Sequence, residues 1–254
     1  MELSNLSKEM ADFINTTPLN RVEEIGLNRI FDVPIIGVAD ADDPLFAQLK
    51  APEVIGPRHQ LPSDWLKDAK VVVSYFLPFS EEIRIANRQA GLPATEWVYG
   101  RLEGEAVNDA LRSFIVELVN RKGGSAVAPV LDRNFSVVDR RSNWSERHVA
   151  FIAGLGTFGL SKSFITEKGC AGRYGSVVMN IYLEATPRPY SGIYEYCTMC
   201  GECIMRCPSG AIKENGKDVV ICATYQDNEI KPRFAPRYGC GKCQTAVPCE
   251  FQRP

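Results

Sequence analysis

No cysteine occurs before Cys170, and the N-terminal stretch Met1–Phe13 shows no basic region followed by an apolar run. A secretory signal is therefore not indicated, and the thiols are expected to stay reduced in a cytoplasm. Long hydrophobic runs are missing as well. The longest, Val71–Leu77 and Val149–Leu155, fall far short of the ~20 residues a spanning helix requires, so a soluble protein without membrane contact is expected. Charge of one sign is also lacking. The net charge is −2, and residues 190–254 carry eight Lys/Arg against seven Asp/Glu. The strong positive footprint of a nucleic-acid binder is absent. What remains is ordinary globular composition, 45% hydrophobic and 24% charged over 254 residues. That length exceeds the ~100–200 residues of one domain and allows a sizeable core plus a small satellite.

Eight of the nine cysteines lie between Cys197 and Cys249. The first four read Cys197-x2-Cys200-x2-Cys203-x3-Cys207-Pro208. This is the spacing of a bacterial-type iron–sulfur site: three closely spaced thiolates wrap one face of a cubane, and the fourth, followed by proline, points to a second cluster. Cys222, Cys240, Cys243 and Cys249 follow, enough to complete two 4Fe-4S clusters. The rival reading is a pair of structural zinc sites, which normally use paired Cys-x2-Cys knuckles rather than a ladder ending in Cys-Pro. Letting the Cys-Pro ligand cross over divides the thiolates as Cys197, Cys200, Cys203 and Cys249 against Cys207, Cys222, Cys240 and Cys243. Cys249 is irregular, because Pro248 precedes it instead of following; its alternative is a free thiol near an open iron. Cys170 reads as a small buried hydrophobe.

The organisation along the chain is two-part: residues 1–187 as an α/β domain and residues 188–254 as a ferredoxin-like module. An N-terminal helix is expected around Leu6–Thr17. Pro34–Asp40 and Lys70–Pro78 suit buried strands, with further strands expected over 125–131 and 175–184. A helix is expected over 102–121, with Val107, Ala110, Leu111, Phe114, Leu118 and Val119 on one face and Gly123-Gly124 ending it. Strands separated by helices favour a layered α/β (α+β) sheet. Past the Pro- and Tyr-rich linker that begins at Arg188, the run after Pro208 reads as a short helix and a hairpin turning at Asn215-Gly216. Such a module has little core and is held largely by its clusters.

Asp139–Phe164 contains GLGTFG at 154–159. That run matches Gly-x-Gly-x-x-Gly, but the dinucleotide fingerprint needs a strand before it and a helix after. Here SERHVAFIA reads as a helix with Ser145 as N-cap, and SKSFITEKG as turn and strand. The glycines instead let backbone pass close to something flat or bulky, or they form a helix C-cap and tight turn with no ligand.

SERHVAFIAGLGTFGLSKS, then GRYGSVV, then the cysteine module with CGKCQ resemble the cobalamin-dependent iron–sulfur reductases typified by epoxyqueuosine reductase, with reductive dehalogenases as more distant relatives. The resemblance covers roughly residues 34–249. It implies a nitroreductase-like corrinoid-binding domain followed by a two-cluster bacterial-ferredoxin-like module. Clusters would feed electrons to a cobalamin lined by Gly154, Gly156, Gly159, Ser161, Gly175 and Ser176. Two departures accompany it. Counting back from Glu146-Arg147 places Arg140 where those enzymes carry an aspartate proton donor, with Asp139 one residue away. The chain also ends five residues after Cys249, where those enzymes continue into helical repeats that engage tRNA. A smaller substrate or a protein partner is therefore expected in place of tRNA.

Reductive cleavage needs a proton source. Asp139 and His148 are the candidate catalytic residues. Each has a structural reading beside it: a turn residue paired with Arg140 or Arg141, and a histidine packed on a helix face. Arg133, Arg140, Arg141 and Arg147 form a basic cluster suited to a phosphate or carboxylate, or a solvated face. Tyr99 is a phenolic candidate or a packing residue, and His59 has no assigned role. The leading expectation is a cytoplasmic reductase fed by a ferredoxin or flavodoxin. Its alternatives are an electron-transfer or activation protein with no substrate of its own, and an FMN-holding flavin reductase.

Overall fold

Every residue of Val71–Pro78 is buried, which puts this apolar run in the middle of a sheet covered on both faces. The computed structural model describes residues 1–254. In chain order its elements are α1 (Leu3–Thr16), β1 (Ile35–Asp40), α2 (Pro44–Gln48), α3 (Pro62–Trp65), β2 (Val71–Pro78), α4 (Glu81–Ala86) and α5 (Thr95–Arg121). There follow β3 (Ala126–Val127), β4 (Val137–Val138), β5 (Arg141–Ser142), α6 (Glu146–Ile152), β6 (Gly156–Phe158), β7 (Phe164–Thr166) and β8 (Gly172–Met179). The tail adds α7 (Glu202–Met205), β9 (Ile212–Lys213), β10 (Gly216–Lys217), α8 (Val219–Tyr225) and α9 (Lys231–Phe234).

The main sheet runs β1-β2-β8-β3 and is antiparallel throughout. Side chains alternate across it with a period of two. Val71, Val73, Tyr75 and Leu77 join the large core under α1 and α5. Val72 and Val178 face the other way, onto Phe46, Trp144, Val149 and Ile152. The result is a helix–sheet–helix sandwich, the layered mixed fold expected. Helix α5 begins before the expected Leu102, since its first turns pack through Gly100 and Gly104. A Cβ at Gly104 would lie 2.8 Å from the Phe31 ring. Strand β3 stops at Val127, because Pro129 opens a short 3-10 turn and has no N–H to continue the ladder. β8 likewise ends at Met179, short of Glu184.

The C-terminal hairpin differs from expectation by one residue. Its loop is Glu214-Asn215, and Gly216 already pairs with Lys213. Val219–Ile221 belongs to α8 and not to a returning strand, because Asp218 caps it by accepting from Val220 N (2.8 Å) and Ile221 N (3.1 Å).

Asn87 ties this tail to the sandwich. Its Nδ2 donates to Thr245 Oγ1 (3.2 Å) and Cys240 O (3.3 Å), and its Oδ1 accepts from Ala94 N. Its own carbonyl accepts from Lys242 Nζ, Thr245 Oγ1 and Arg206 Nη2. Glu250, also buried, accepts from Arg84 and Arg88. Replacing Asn87 with alanine leaves several of these buried groups unpaired. The Asn87→Ala variant is expected to lose roughly 1–3 kcal/mol of stability, read from its urea midpoint.

Candidate functional site

The eight clustered cysteines fall into two sets of four, each around its own cavity. Cys197, Cys200, Cys203 and Cys249 line a small cavity with Gly159, Leu160 and Ser161. Cys207, Cys222, Cys240 and Cys243 line a large cavity of about 580 Å³. These are the same two sets that the crossover spacing defines, with Cys249 in the first. Short elements deliver them: α7 carries Cys203, α8 carries Cys222, and Gly201 and Gly241 turn through φ +79° and +66° just after Cys200 and Cys240.

No three His, Cys, Asp or Glu side chains converge on a point that one ion would occupy. The thiols differ in environment. Burial, then the neighbouring Cys243, Cys249, Cys197 and Cys200, push the Cys203 thiol up to about 12. Burial likewise pushes Cys240 up to about 11. Burial acts on Cys207 too, but the Ser209 hydroxyl and the N–H groups of Ile212, Ser209 and Ala211 outweigh it and hold its thiol below the ordinary value. Loading metal into such sites displaces protons.

The large cavity lies between the sandwich and the second thiol set. Trp97, Arg101, Glu105 and Arg112 of α5 line it, with Trp144, Glu146 and Arg147 around the start of α6 and Arg173 and Tyr174 of β8. Arg112 is the hub of its wall, with only 2% of its side chain exposed. Its Nη1 donates to Glu105 Oε1 (2.8 Å) and Asp109 Oδ1 (2.6 Å). Its Nη2 donates to Glu146 Oε1 (3.3 Å) and Tyr174 O (3.0 Å). Arg173 pairs with the other Glu105 oxygen. Glu146 Oε2 meets Ser176 Oγ at 2.6 Å, and Ser176 Oγ accepts from Trp144 Nε1 at 2.8 Å. Burial raises the Glu146 carboxyl above the usual range, with Arg112 and Ser176 pulling the other way. Trp97 Nε1, Arg112 Nε and Arg173 Nε, all on residues lining this cavity, are buried donors without a partner.

The 4Fe-4S binding domain family matches residues 191–213, which hold Cys197, Cys200, Cys203 and Cys207. An epoxyqueuosine reductase of Leadbetterella byssophila is 24% identical over 204 residues, 76% of this chain and 63% of that protein. The chain is related to the epoxyqueuosine reductases. A solved epoxyqueuosine reductase with a tRNA-Tyr epoxyqueuosine-modified stem loop superposes with TM-score 0.54 at 21% identity, covering 97% of this chain and 66% of that one. A catabolic reductive dehalogenase superposes with TM-score 0.55 at 16% identity, covering 86% of this chain and 30% of that one. The chain therefore shares their fold, and it spans a little under two thirds of the length of these two epoxyqueuosine reductases.

The remaining candidates are scattered. Asp139 is exposed at the tip of the β4–β5 hairpin, where it and Arg140 both take positive φ, and it does not line the cavity. His148 faces Ser145 Oγ at 2.8 Å and packs on Phe158 (4.8 Å), also off the cavity. Ser145 thus spends its hydroxyl on His148 and not on a backbone cap. Gly154 and Gly156 answer to packing against protein: a Cβ would come within 2.8 Å of Pro187 O and 1.9 Å of Ile165 O. Gly175 leaves room for Tyr75 Oη, 2.2 Å from where its Cβ would stand. Gly159 and Ser161 line the small cavity, and Ser161 lines the large one as well. Ser176 is buried beneath the wall as a partner of Glu146. The glycine run joins α6 to the β6–β7 hairpin, so a dinucleotide fingerprint's strand and helix are not there.

The arginine cluster also disperses. Arg141 holds Pro52 O and Ile55 O, Arg140 reaches Val219 O, Arg133 is exposed, and Arg147 alone meets the cavity. Tyr99 donates to Glu24 Oε1 (2.6 Å) beneath Arg237. Cys170 is fully buried, its sulfur 3.8 Å from that of Cys249.

Burial lowers both imidazoles, His59 and His148, to about 4. The folded state thus binds fewer protons than the unfolded one below pH 6.5. Their contribution to stability is full above that value and is lost as pH falls towards 4. For the fully buried His59 the loss at pH 5 is on the order of 2 kcal/mol. Urea titrations at pH 7.5 and 5 check this, with His59→Gln flattening the difference.

Proposed function

We propose that the chain is an iron–sulfur reductase that passes electrons through two 4Fe-4S clusters to a cobalamin in the large cavity, where a small organic substrate is reduced. The observation that carries this reading is the sorting of the thiols. One set of four lines the same cavity as Trp97, Arg112 and Glu146, and the other set lies beyond it. Electrons would enter at the first set, whose Cys200 is exposed beside Met199 and Met205, from a one-electron donor such as a ferredoxin or flavodoxin. The second set would relay them to the cavity.

The walls fit a large group rich in hydrogen-bond acceptors. The partnerless N–H groups of Trp97, Arg112 and Arg173 are donors that the peripheral amides of a corrinoid would satisfy. Arg101, Arg147, Lys162 and Lys217 add positive charge, against only Glu105 and Glu146. A bound cobalamin would supply a low-valent cobalt able to pass electrons to carbon. The chain's own part is to position, to exclude water and to hold protons. Residues 1–187 would carry that cavity wall and residues 188–254 the clusters, with Asn87 and Glu250 holding the two together.

The test is anaerobic purification, cluster reconstitution and titration with cobalamin. A base-off spectrum with one corrinoid per chain supports the reading. No spectral change with any corrinoid, in protein carrying its full iron, overturns it.

A further inference from the structure

We propose that fixed positive charge makes the cavity-side cluster the easier of the two to reduce, and that Lys217 and Lys242 set this bias. The inference rests on the two-cluster reading above. A 4Fe-4S cluster held by four thiolates is an anion, and an accepted electron adds further negative charge. Its reduction potential therefore rises with nearby positive charge and with hydrogen bonds to its sulfurs.

The two thiol sets stand in opposite surroundings. No charged side chain lines the small cavity of Cys197, Cys200, Cys203 and Cys249. The charges around that set are close to balanced. Glu250, next to Cys249, is paired with Arg84 and Arg88. Glu195 and Glu202 are exposed, and Arg253 lies over the Tyr196 ring. The large cavity of the second set is lined by six Lys/Arg against Glu105 and Glu146. Arg112 and Arg173 are taken up by carboxylates, whereas Arg101, Arg147, Lys162 and Lys217 pair with none. Lys217 acts directly on Cys222 and Cys243. The exposed Asp218 is occupied by the Val220 and Ile221 N–H groups at the start of α8.

Lys242, between Cys240 and Cys243 in the chain, is 1% exposed. Its Nζ donates to the carbonyls of Asn87 (3.1 Å) and Gln89 (2.7 Å). Arg206, which precedes Cys207, donates to the same two oxygens. Neither cation contacts a carboxylate, so two like charges meet on shared carbonyls in a buried setting. Such charges are costly without an anion nearby, and a cluster on Cys207, Cys240 and Cys243 is that anion.

Hydrogen bonds to sulfur point the same way. Ser209 Oγ lies 3.4 Å from Cys207 Sγ, and Gln226 Nε2 lies 3.8 Å from Cys222 Sγ. In the first set, Cys249 Sγ faces the Cys170 thiol at 3.8 Å, a weak donor. Solvent at the exposed Cys200 works in the opposite direction, but it reaches one ligand of four. Full charges held in place on the other set outweigh it. The wire is thus polarised inward. A donor protein loses one electron, the first cluster gains it and passes it on, and the second cluster ends reduced beside the cavity, with no proton moved.

A dithionite titration of iron-loaded protein at pH 7, followed by electron paramagnetic resonance, tests this. Two waves are expected. Cys243→Ser should abolish the one at higher potential, and Cys203→Ser the one at lower potential. Lys217→Met should move the higher wave alone, downward by about tenfold in the ratio of reduced to oxidised cluster, or ~59 mV for one electron. Lys217→Arg keeps the charge and should restore the wave, and Lys242→Met should act as Lys217→Met does. Coincident waves, a higher wave lost in Cys203→Ser, or a higher wave that neither lysine substitution moves in folded protein would overturn the proposal. Protein that never holds two clusters overturns the two-cluster reading instead.

Discussion

Serine in place of Cys243 is expected to remove about half of the bound iron and to stop electrons from reaching the large cavity. Cys243 sits with Cys207, Cys222 and Cys240 on that cavity, and burial, ahead of the attraction of Lys217, raises its thiol. A hydroxyl there would be still harder to ionise, so the corner iron would lose its ligand. The matched substitution at Cys203 should remove the other half and leave the cavity-side cluster in place. Iron and sulfide assays with electron paramagnetic resonance of the reduced protein distinguish the two: each variant should retain one signal, and a different one. Cys249→Ser should resemble Cys203→Ser. If Cys243→Ser kept its full iron, the division of thiolates would be wrong.

Methionine in place of Arg112 should be the most destabilising single change in the cavity wall, at roughly 3–5 kcal/mol. The substitution keeps the aliphatic volume but deletes the only guanidinium that contacts Asp109 and Glu146. Glu146 would then face Ser176 alone in a buried setting. The penalty depends on pH in a defined direction. A carboxyl whose folded pKa lies above its unfolded value adds stability while protonated and loses it as pH rises through the folded value. The gap between Arg112→Met and wild type should therefore be widest near pH 8 and narrow towards pH 5. Urea unfolding at those two values measures it. A gap independent of pH would mean that Arg112 contributes packing and not charge.

Much of the sandwich could be read from the chain because its period is unambiguous. Val71–Pro78 and Ile35–Asp40 are short apolar runs bounded by breakers, and the spacing from Val107 to Val119 has one buried face. Legibility failed where a single residue overrode propensity. Pro129 cut β3 short, and Asp218 turned three β-branched residues into a capped helix. The cysteine ladder Cys197–Cys207 that the 4Fe-4S binding domain family matches was legible because its spacing encodes loop geometry. The acid network was not, since Arg112 and Glu146 are 34 residues apart and meet only when α5 and α6 close over opposite faces of β8. A clue did exist: Arg112 falls on the buried face of α5 between Leu111 and Ile115, where an unpaired charge cannot sit. Gly154 and Gly156 looked like ligand glycines and serve chain crossings, which the linear pattern could not separate.

The most direct test is the metal content of anaerobically purified protein, read together with Mössbauer spectra. The account predicts about eight irons and eight sulfides per chain, all in cubane form. Zinc held in place of iron, or iron stopping at about four per chain, would contradict it.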